Sequence, residues 1–428
     1  MQLSSHHHWR LLRRYSSWSS AIRDAASSSP INALRLFSKM HSQAVAVDSF
    51  SLLYTLKSSA AIKDHTLISN LHAHATKIGF DSHLYVGTSL LNAYAVTDFR
   101  DACQLFEEMP ERNTVTWNTM ISGHAKSGDL IEACLLFEKM PEKGVGSWSA
   151  LIAGCINNGK LKEGLGLFRE MIGNEGIIPS QSILVSVLAG CARMGFLGLL
   201  TGKSVHAFIT KNGLELNVEL GSVLVDMYAK CGLVDSATKV ADLMRERNVT
   251  TWTSLICGLA QHGRGQEAVS LFKKMEQEAN IHPNEMTFTG VLSACAQAGM
   301  VQEGQKYFDL LEKNGMQIKI QHYGCMVDLY GKAGQLKNAY QVIKQMIIVP
   351  NNVVWGTFLT ACKMHKQFEF AEKVVDHVLT TVTPENDGGV YSLLCDLYAM
   401  NEKWDDAERV RKLMVNQNVR KARGSSFI

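Results

Sequence analysis

The chain has 428 residues, of which 46% are apolar and 19% charged, with 43 Lys and Arg against 40 Asp and Glu. That length exceeds what one hydrophobic core ordinarily serves and that balance excludes bulk disorder, so several domains or a repeat array are expected. The formal net charge of +3 is matched by residues 1–30, where Arg10, Arg13, Arg14 and Arg23 face Asp24 alone, so bulk charge makes no case for a polyanionic partner.

The first thirty residues hold nine serines, four arginines and one acidic residue. An Arg-rich, Ser-rich, acid-poor leader resembles an organelle transit peptide. The stretch Arg13-Arg14-Tyr15-Ser16 resembles a mitochondrial processing site. The expectation is a leader over 1–30 and a mitochondrial destination, with the plastid as the alternative. His6 to His8 form too short a run for a metal site. A half-unit, SPINALRLFSKM, comes next.

From there the chain repeats itself. ACQLFEEMPERNTVTWNTMI from Ala102, ACLLFEKMPEKGVGSWSALI from Ala133 and ATKVADLMRERNVTTWTSLI from Ala237 keep Ala, Met, Trp and Ile in register. In residues 114–144, Trp117, Met120, Ile121 and His124 recur at i, i+3, i+4 and i+7, as one face of a helix does. Gly128 can take the left-handed conformation that ends a helix, and Asp129 can cap the next one. Ala133, Leu136, Phe137 and Met140 repeat the helical spacing before Pro141 stops it. Each unit therefore reads as helix–turn–helix, with Trp and Phe expected to pack between its two helices. One hairpin cannot bury both faces, so neighbours are expected to stack. Counting from two residues before each TWN-like triplet puts repeat starts near 49, 84, 114, 145, 181, 218, 249, 285 and 320, with further starts at 352 and 388.

Ten cysteines are scattered singly, none at C-x-x-C spacing. Small buried thiols in a reducing compartment are expected, and neither a zinc ribbon nor a disulfide scaffold. No apolar run approaches a membrane span, Phe196–Leu200 being among the longest candidates, so no membrane insertion is expected.

TWNTMISGHAKSG, GKSVHAFITKNGLELNVELGSVLVDMYAKCG and QHYGCMVDLYGKAGQL carry a resemblance to plant-type pentatricopeptide repeat proteins of the PLS class, which mix standard, long and short repeats. The resemblance covers essentially everything after residue 30. It implies an all-α fold, a right-handed α-solenoid of stacked hairpins, with a repeat array over 31–351. NNVVWGTFLTACKMHKQFEFAEKVV and NDGGVYSLLCDLYAMNEKWDDAERVRKLM resemble the E-type motifs that follow the last short repeat, so 352–428 is expected to recruit protein. In relatives a cytidine-deaminase domain comes after such a tail. It needs H-x-E and C-x-x-C. None of the fifteen histidines here has Glu two places on. The expectation is a non-enzymatic specificity factor without a cofactor.

Repeats of this type read about one RNA base each with two or three side chains. The resemblance assigns this to the fifth and last residues of a repeat, with the second supplying an apolar wedge. Thr88 with Asn113 implies adenine, Asn118 with Gly144 a pyrimidine, and Ser149 with Ser180 a purine. Ser222 with Asn248 and Thr253 with Asn284 each imply adenine. The long repeats, with Leu53/His83, Val185/Asn217 and Thr289/Lys319, are uninformative, and Gly324 with Asn351 departs from the pattern. Val115 suits the wedge, whereas Gly146 and Ser182 do not. The implied target is 5′-A-pyrimidine-purine-any-A-A-3′. The implied function is binding of single-stranded organellar RNA for C-to-U editing, with a deaminase-bearing protein and editing co-factors recruited through 352–428. RNA stabilisation or splicing without editing, and a protein-binding helical scaffold, are the alternatives. For each code residue the competing reading is an ordinary helix cap or a solvated polar position.

Overall fold

A computed structural model of the chain describes residues 18–80, 82–173, 176–278, 280–381 and 388–416. The expected processing site near Arg13 and the last E-type residues, 417–428, lie outside them. Among the described residues every regular element is a helix. The residues Ser49, Leu84, Thr114, Val145, Gln181, Val218, Val249, Glu285, Ile320, Asn352 and Gly388 each open a helix, and these are the positions at which the repeats were counted off.

The capping chemistry explains those starts. Asn113, Asn217, Asn248, Asn284 and Asn351 stand one residue ahead of a helix, and each carboxamide oxygen accepts from a backbone N–H in the first turn. The third residue of the repeat is a buried Ser or Thr at Ser51, Thr116, Ser147, Thr251 and Thr287. At Ser51 and Thr287 its hydroxyl accepts from the N-cap N–H while the N-cap side chain accepts from the third N–H, closing a capping box; Ser147 makes only the first of these bonds, because its N-cap is Gly144. At the far end Gly128 takes φ +88°, a conformation costly for any residue with a β-carbon. Asp129 then caps the helix Leu130–Lys139.

The chain divides into two compact units, Met1–Gly190 and Cys191–Ile428, with the boundary inside the helix Gln181–Met194. In the first unit the helices Ser49–Ile62, Leu84–Thr97, Thr114–Ser127 and Val145–Asn157 pack in succession, each also backed by its own second helix. In the second unit Val218–Lys230, Val249–Gln261, Glu285–Ala298, Ile320–Lys332, Asn352–Met364 and Gly388–Met400 do the same. Small residues let these first helices approach closely. A β-carbon on Gly154 would lie 2.5 Å from the Ala125 methyl, and one on Gly258 would lie 2.7 Å from that of Ala229. Side chains bridge the same junctions: Asn158 Nδ2 donates to the Ala125 carbonyl at 2.6 Å, and a nitrogen of the His262 ring lies 3.1 Å from the Ala229 carbonyl.

Two readings change. The aromatic pairs join successive hairpins instead of the two helices of one. Phe106 meets Trp117 at 5.1 Å between ring centroids, and Phe137 meets Trp148 at 4.8 Å, both edge-on. The fourth residue of a first helix faces back toward the preceding second helix, which a single repeat cannot reveal. Arg112 seals one such junction: its guanidinium lies 4.6 Å from the Phe106 ring and 6.0 Å from the Trp117 ring, and Nε donates to the Phe106 carbonyl.

The second change is at the front. Residues 18–28, counted above within the leader, are helical. Ile22 is fully buried with Ala33 and Met40, and Trp18, Ala25, Leu36 and Phe37 pack around them. The helix Pro30–Ser42, taken above as a half-unit, is thus the second half of a packed hairpin.

The run Gln181–Lys211 has the length and hydropathy of a membrane span, with half of its most apolar window buried inside the protein. It is two helices, Gln181–Met194 and Leu199–Lys211, separated by the turn Gly195–Gly198. At 1.5 Å per residue neither reaches the roughly 30 Å of a hydrocarbon core.

Candidate nucleic-acid interface

Where the last residue of a repeat is Asn, its side chain caps the helix of the next, and this orients the carboxamide. Asn113 Oδ1 accepts from the Thr116 N–H at 2.9 Å, Asn248 Oδ1 from Thr251 at 2.9 Å and Asn284 Oδ1 from Thr287 at 2.9 Å. A backbone N–H can only donate, so the carboxamide oxygen is held against the helix and the NH2 is turned away from it.

The fold brings fifth and last residues into contact in two of the five expected pairs. Asn113 Nδ2 donates to Thr88 Oγ1 at 3.0 Å. The Ser222 hydroxyl lies within hydrogen-bond distance of Asn248 Oδ1 at 3.1 Å, of Thr251 Oγ1 at 2.7 Å and of the Val218 carbonyl at 2.5 Å. Thr253 reaches Asn284 through one intermediary: its Oγ1 lies 2.7 Å from Thr287 Oγ1, which donates to Asn284 Oδ1 at 2.9 Å. No such link joins Asn118 to Gly144, which has no side chain, or Ser149 to Ser180, whose hydroxyl lies 2.9 Å from that of Ser182.

The fifth-position hydroxyls are more recessed than the sequence suggested. Thr88 is 8% exposed, Ser222 4% and Thr253 7%. Thr88 Oγ1 both donates to the Leu84 carbonyl and accepts from Asn113, leaving it one lone pair. These hydroxyls seal the junction between repeats. The less buried residues are the terminal ones, half-buried at Asn113 and Asn248 and exposed at Asn284, together with the half-buried Asn118 and Ser149.

Open grooves follow the same register. One of about 590 Å³ in the first unit is walled by Asn118, Lys126, Gly146, Ser149, Ser180 and Ser182. In the second unit one of about 560 Å³ is lined by Asn284, Met286, Thr289, Lys319 and Gln321, and one of about 440 Å³ by Asp328, Lys332, Val353, Gly356 and Thr357. Second, fifth and last residues of repeats recur in the first two of these walls, and second and fifth residues in the third.

Val115, the expected wedge, is 50% exposed, and it has company that sequence reasoning overlooked. Phe50, Tyr85, Met286 and Val353 stand at the same second position of their repeats, each more than 60% exposed. Their signal was an apolar residue one place after a repeat start, where a soluble helix places a polar one. Gly146, Ser182, Glu219, Thr250 and Gln321 interrupt the row.

Cations also share a register. Lys126, Lys230 and Lys332 fall twelve residues after the starts at 114, 218 and 320. Lys230 is paired with Asp226 at 2.8 Å and Lys332 with Asp328 at 2.7 Å. Lys319 in the second groove is paired with Glu285. Lys126 faces no carboxylate within ion-pair distance among the described residues.

Two other clusters offer less. His65, Asp98 and Asp101 bring ligand-type atoms within 4.8 Å of one another, but His65 is already paired with Asp101 at 2.8 Å and Asp98 caps the Arg100 N–H. None of the ten cysteines forms a disulfide, and burial pushes the Cys295 and Cys362 thiols up to about 12, which leaves them unreactive near neutrality.

Models of the pentatricopeptide repeat match residues 115–145, 146–175 and 222–249, a repeat-family model matches 247–297, and one described as pentatricopeptide repeat-containing protein matches 285–354. A model of the E motif matches 365–428. One pentatricopeptide repeat-containing protein of Arabidopsis thaliana is 43% identical over 379 residues, covering 87% of this chain and 70% of its own. Another from the same plant, with mitochondrial in its name, is 32% identical over 93% of this chain and 78% of its own. The chain spans between 51% and 82% of the length of the curated relatives it matches. Among solved structures, the pentatricopeptide repeat protein PPR10, in complex with an 18-nucleotide psaJ RNA element, superimposes with a TM-score of 0.69 over 95% of this chain and 65% of its own, at 17% identity. That likeness shows a shared fold.

Proposed function

Because the chain belongs to the pentatricopeptide repeat family, with an E motif at its end, we propose that it is a sequence-specific binder of single-stranded RNA acting in organellar RNA processing. The observation that carries this reading is the register of the junctions. Fifth and last residues meet by hydrogen bond at Thr88/Asn113 and Ser222/Asn248, beside exposed apolar residues at second positions. One polar reader and one apolar surface per repeat suit a ligand that presents one base per repeat. The solved relative of like fold is itself bound to RNA.

The finer reading is C-to-U editing, with the protein as specificity factor and a deaminase supplied by a partner that docks on 352–428. The E motif supports it. A mitochondrial destination is supported by the leader composition and by a relative named as mitochondrial. The test is an electrophoretic shift with the full chain on 5′-A-pyrimidine-purine-any-A-A-3′ and on the same RNA with both terminal adenines changed to guanine. Tighter binding of the first is expected. Equal binding overturns the base assignments. Transcript sequencing in a knockout separates editing from stabilisation or splicing, because editing predicts lost conversion at discrete cytidines with transcript levels intact.

One observation favours a protein ligand instead. Lys319 and Lys332 in the grooves, and Lys230 in register with them, are neutralised by carboxylates, whereas RNA phosphates attract unpaired cations. Crosslinking that recovers no RNA from the purified chain would select this second reading.

A further inference from the structure

In the first-unit groove the fifth residue of repeat 114–144 sits unlike the others. The Asn118 carboxamide makes no hydrogen bond within the described protein, and its Oδ1 is buried without a donor. What confines it is Gly146, the second residue of the next repeat. A β-carbon built on Gly146 would lie 2.7 Å from Asn118 Nδ2, with no other atom as near. At the same position Val115 and Met286 carry large exposed side chains. A β-carbon there would close the space in which this carboxamide lies.

We propose that Gly146 is a positioning residue for base selection: by presenting no β-carbon it seats the Asn118 carboxamide across the start of the helix Val145–Asn157, ready to pair with the edge of one pyrimidine. This rests on the RNA-binding reading and adds to it a dependence on the neighbouring repeat. A pyrimidine edge offers both a donor and an acceptor, and an unpaired carboxamide offers their complements. The buried oxygen gives up no protein hydrogen bond when it turns to a base N–H, so pairing with the ligand is a net gain. With no side chain at residue 146 to stack on, the base in this groove is held by hydrogen bonds more than by a wedge. Its selectivity therefore depends on where the carboxamide lies.

The contact that a β-carbon would meet is the far end of a side chain, so Gly146→Ala displaces Asn118 and leaves the backbone in place. The experiment uses the full chain and fluorescence anisotropy on RNAs that differ only at the second nucleotide, uridine, cytidine or adenine. Wild type is expected to favour the pyrimidines by about tenfold, and Gly146→Ala to lose most of that preference. Asn118→Ala is expected to lose it equally, and the double variant to lose no more than either alone. Gly146→Ala should keep its thermal midpoint and its adenine preference at the sixth nucleotide, which faces Thr253 and Asn284. A variant that retains the second-nucleotide preference overturns the role of Gly146 while leaving the base assignment standing. Wild type with no preference there, or at the sixth nucleotide either, overturns the base assignments on which this inference rests, and wild type that binds none of these RNAs overturns the RNA reading itself.

Discussion

At Asn248 the carboxamide oxygen accepts from the Thr251 N–H and the Thr251 hydroxyl, with the Ser222 hydroxyl oxygen 3.1 Å away. The NH2 of the same side chain is left to face outward. It can donate to N1 of adenine, and it cannot accept from the N1–H and N2–H2 of guanine. Asp in its place keeps every acceptor bond that the cap requires and loses only the NH2. Asn and Asp are near equals as N-caps. Asn248→Asp should therefore change stability by only about 0.5 kcal/mol, while moving the preference at the fifth nucleotide from adenine toward guanine. A denaturation curve and an affinity measured on the two RNAs check both halves. Unchanged base preference in a folded variant would mean that the outward NH2 does not meet the base.

The helix junctions make a different demand, for closeness. Gly258 against Ala229 and Gly154 against Ala125 have counterparts in Gly290 against Cys257 Sγ and Gly331 against the Ala361 methyl, at 2.7 and 2.8 Å from a built β-carbon. Gly258→Val would push two packed first helices apart, and overpacking of this kind costs about 1–3 kcal/mol. Gly166, also mid-helix but with nothing within 4 Å, is the control. Gly166→Ala should stabilise by about 0.5–1 kcal/mol through helix propensity alone. Urea midpoints that move the same way for both would refute the packing argument. The contrast also marks how far the sequence could be read. Helix starts were legible because their cause is local: an Asn cap and a Ser or Thr three residues on, within a single turn. The register of Asn113, Asn248 and Asn284 was legible for the same reason. The Phe137–Trp148 pairing, the recessed hydroxyls of Ser222 and Thr253 and the seat of Asn118 on Gly146 were not. Each depends on which face the following hairpin turns back, and that is set by packing between successive hairpins, not within one turn of helix.

Across the whole chain, charge constrains how any polyanion can be held. The net charge is +3 with the first thirty residues included, and the registered cations Lys230 and Lys332 are already paired with Asp226 and Asp328. Exposed pairs of this kind contribute little to folding, yet a phosphate must displace the carboxylate to use the lysine. Each phosphate neutralised on a single strand contributes about −0.7 to the slope of log affinity against log salt. With Lys126 unpaired and few other groove cations available, two or three phosphate contacts are expected, and a slope of about −2. Affinity for the six-nucleotide target, measured between 50 and 200 mM salt, reads that slope directly (about the range over which strongly electrostatic complexes lose several decades). Asp226→Asn should steepen it by releasing Lys230, in the repeat that faces the fifth nucleotide, because the carboxylate competing for that ammonium is gone. A wild-type slope several times steeper would mean that binding runs through cations outside the grooves, and that base contacts along the first helices contribute little to affinity.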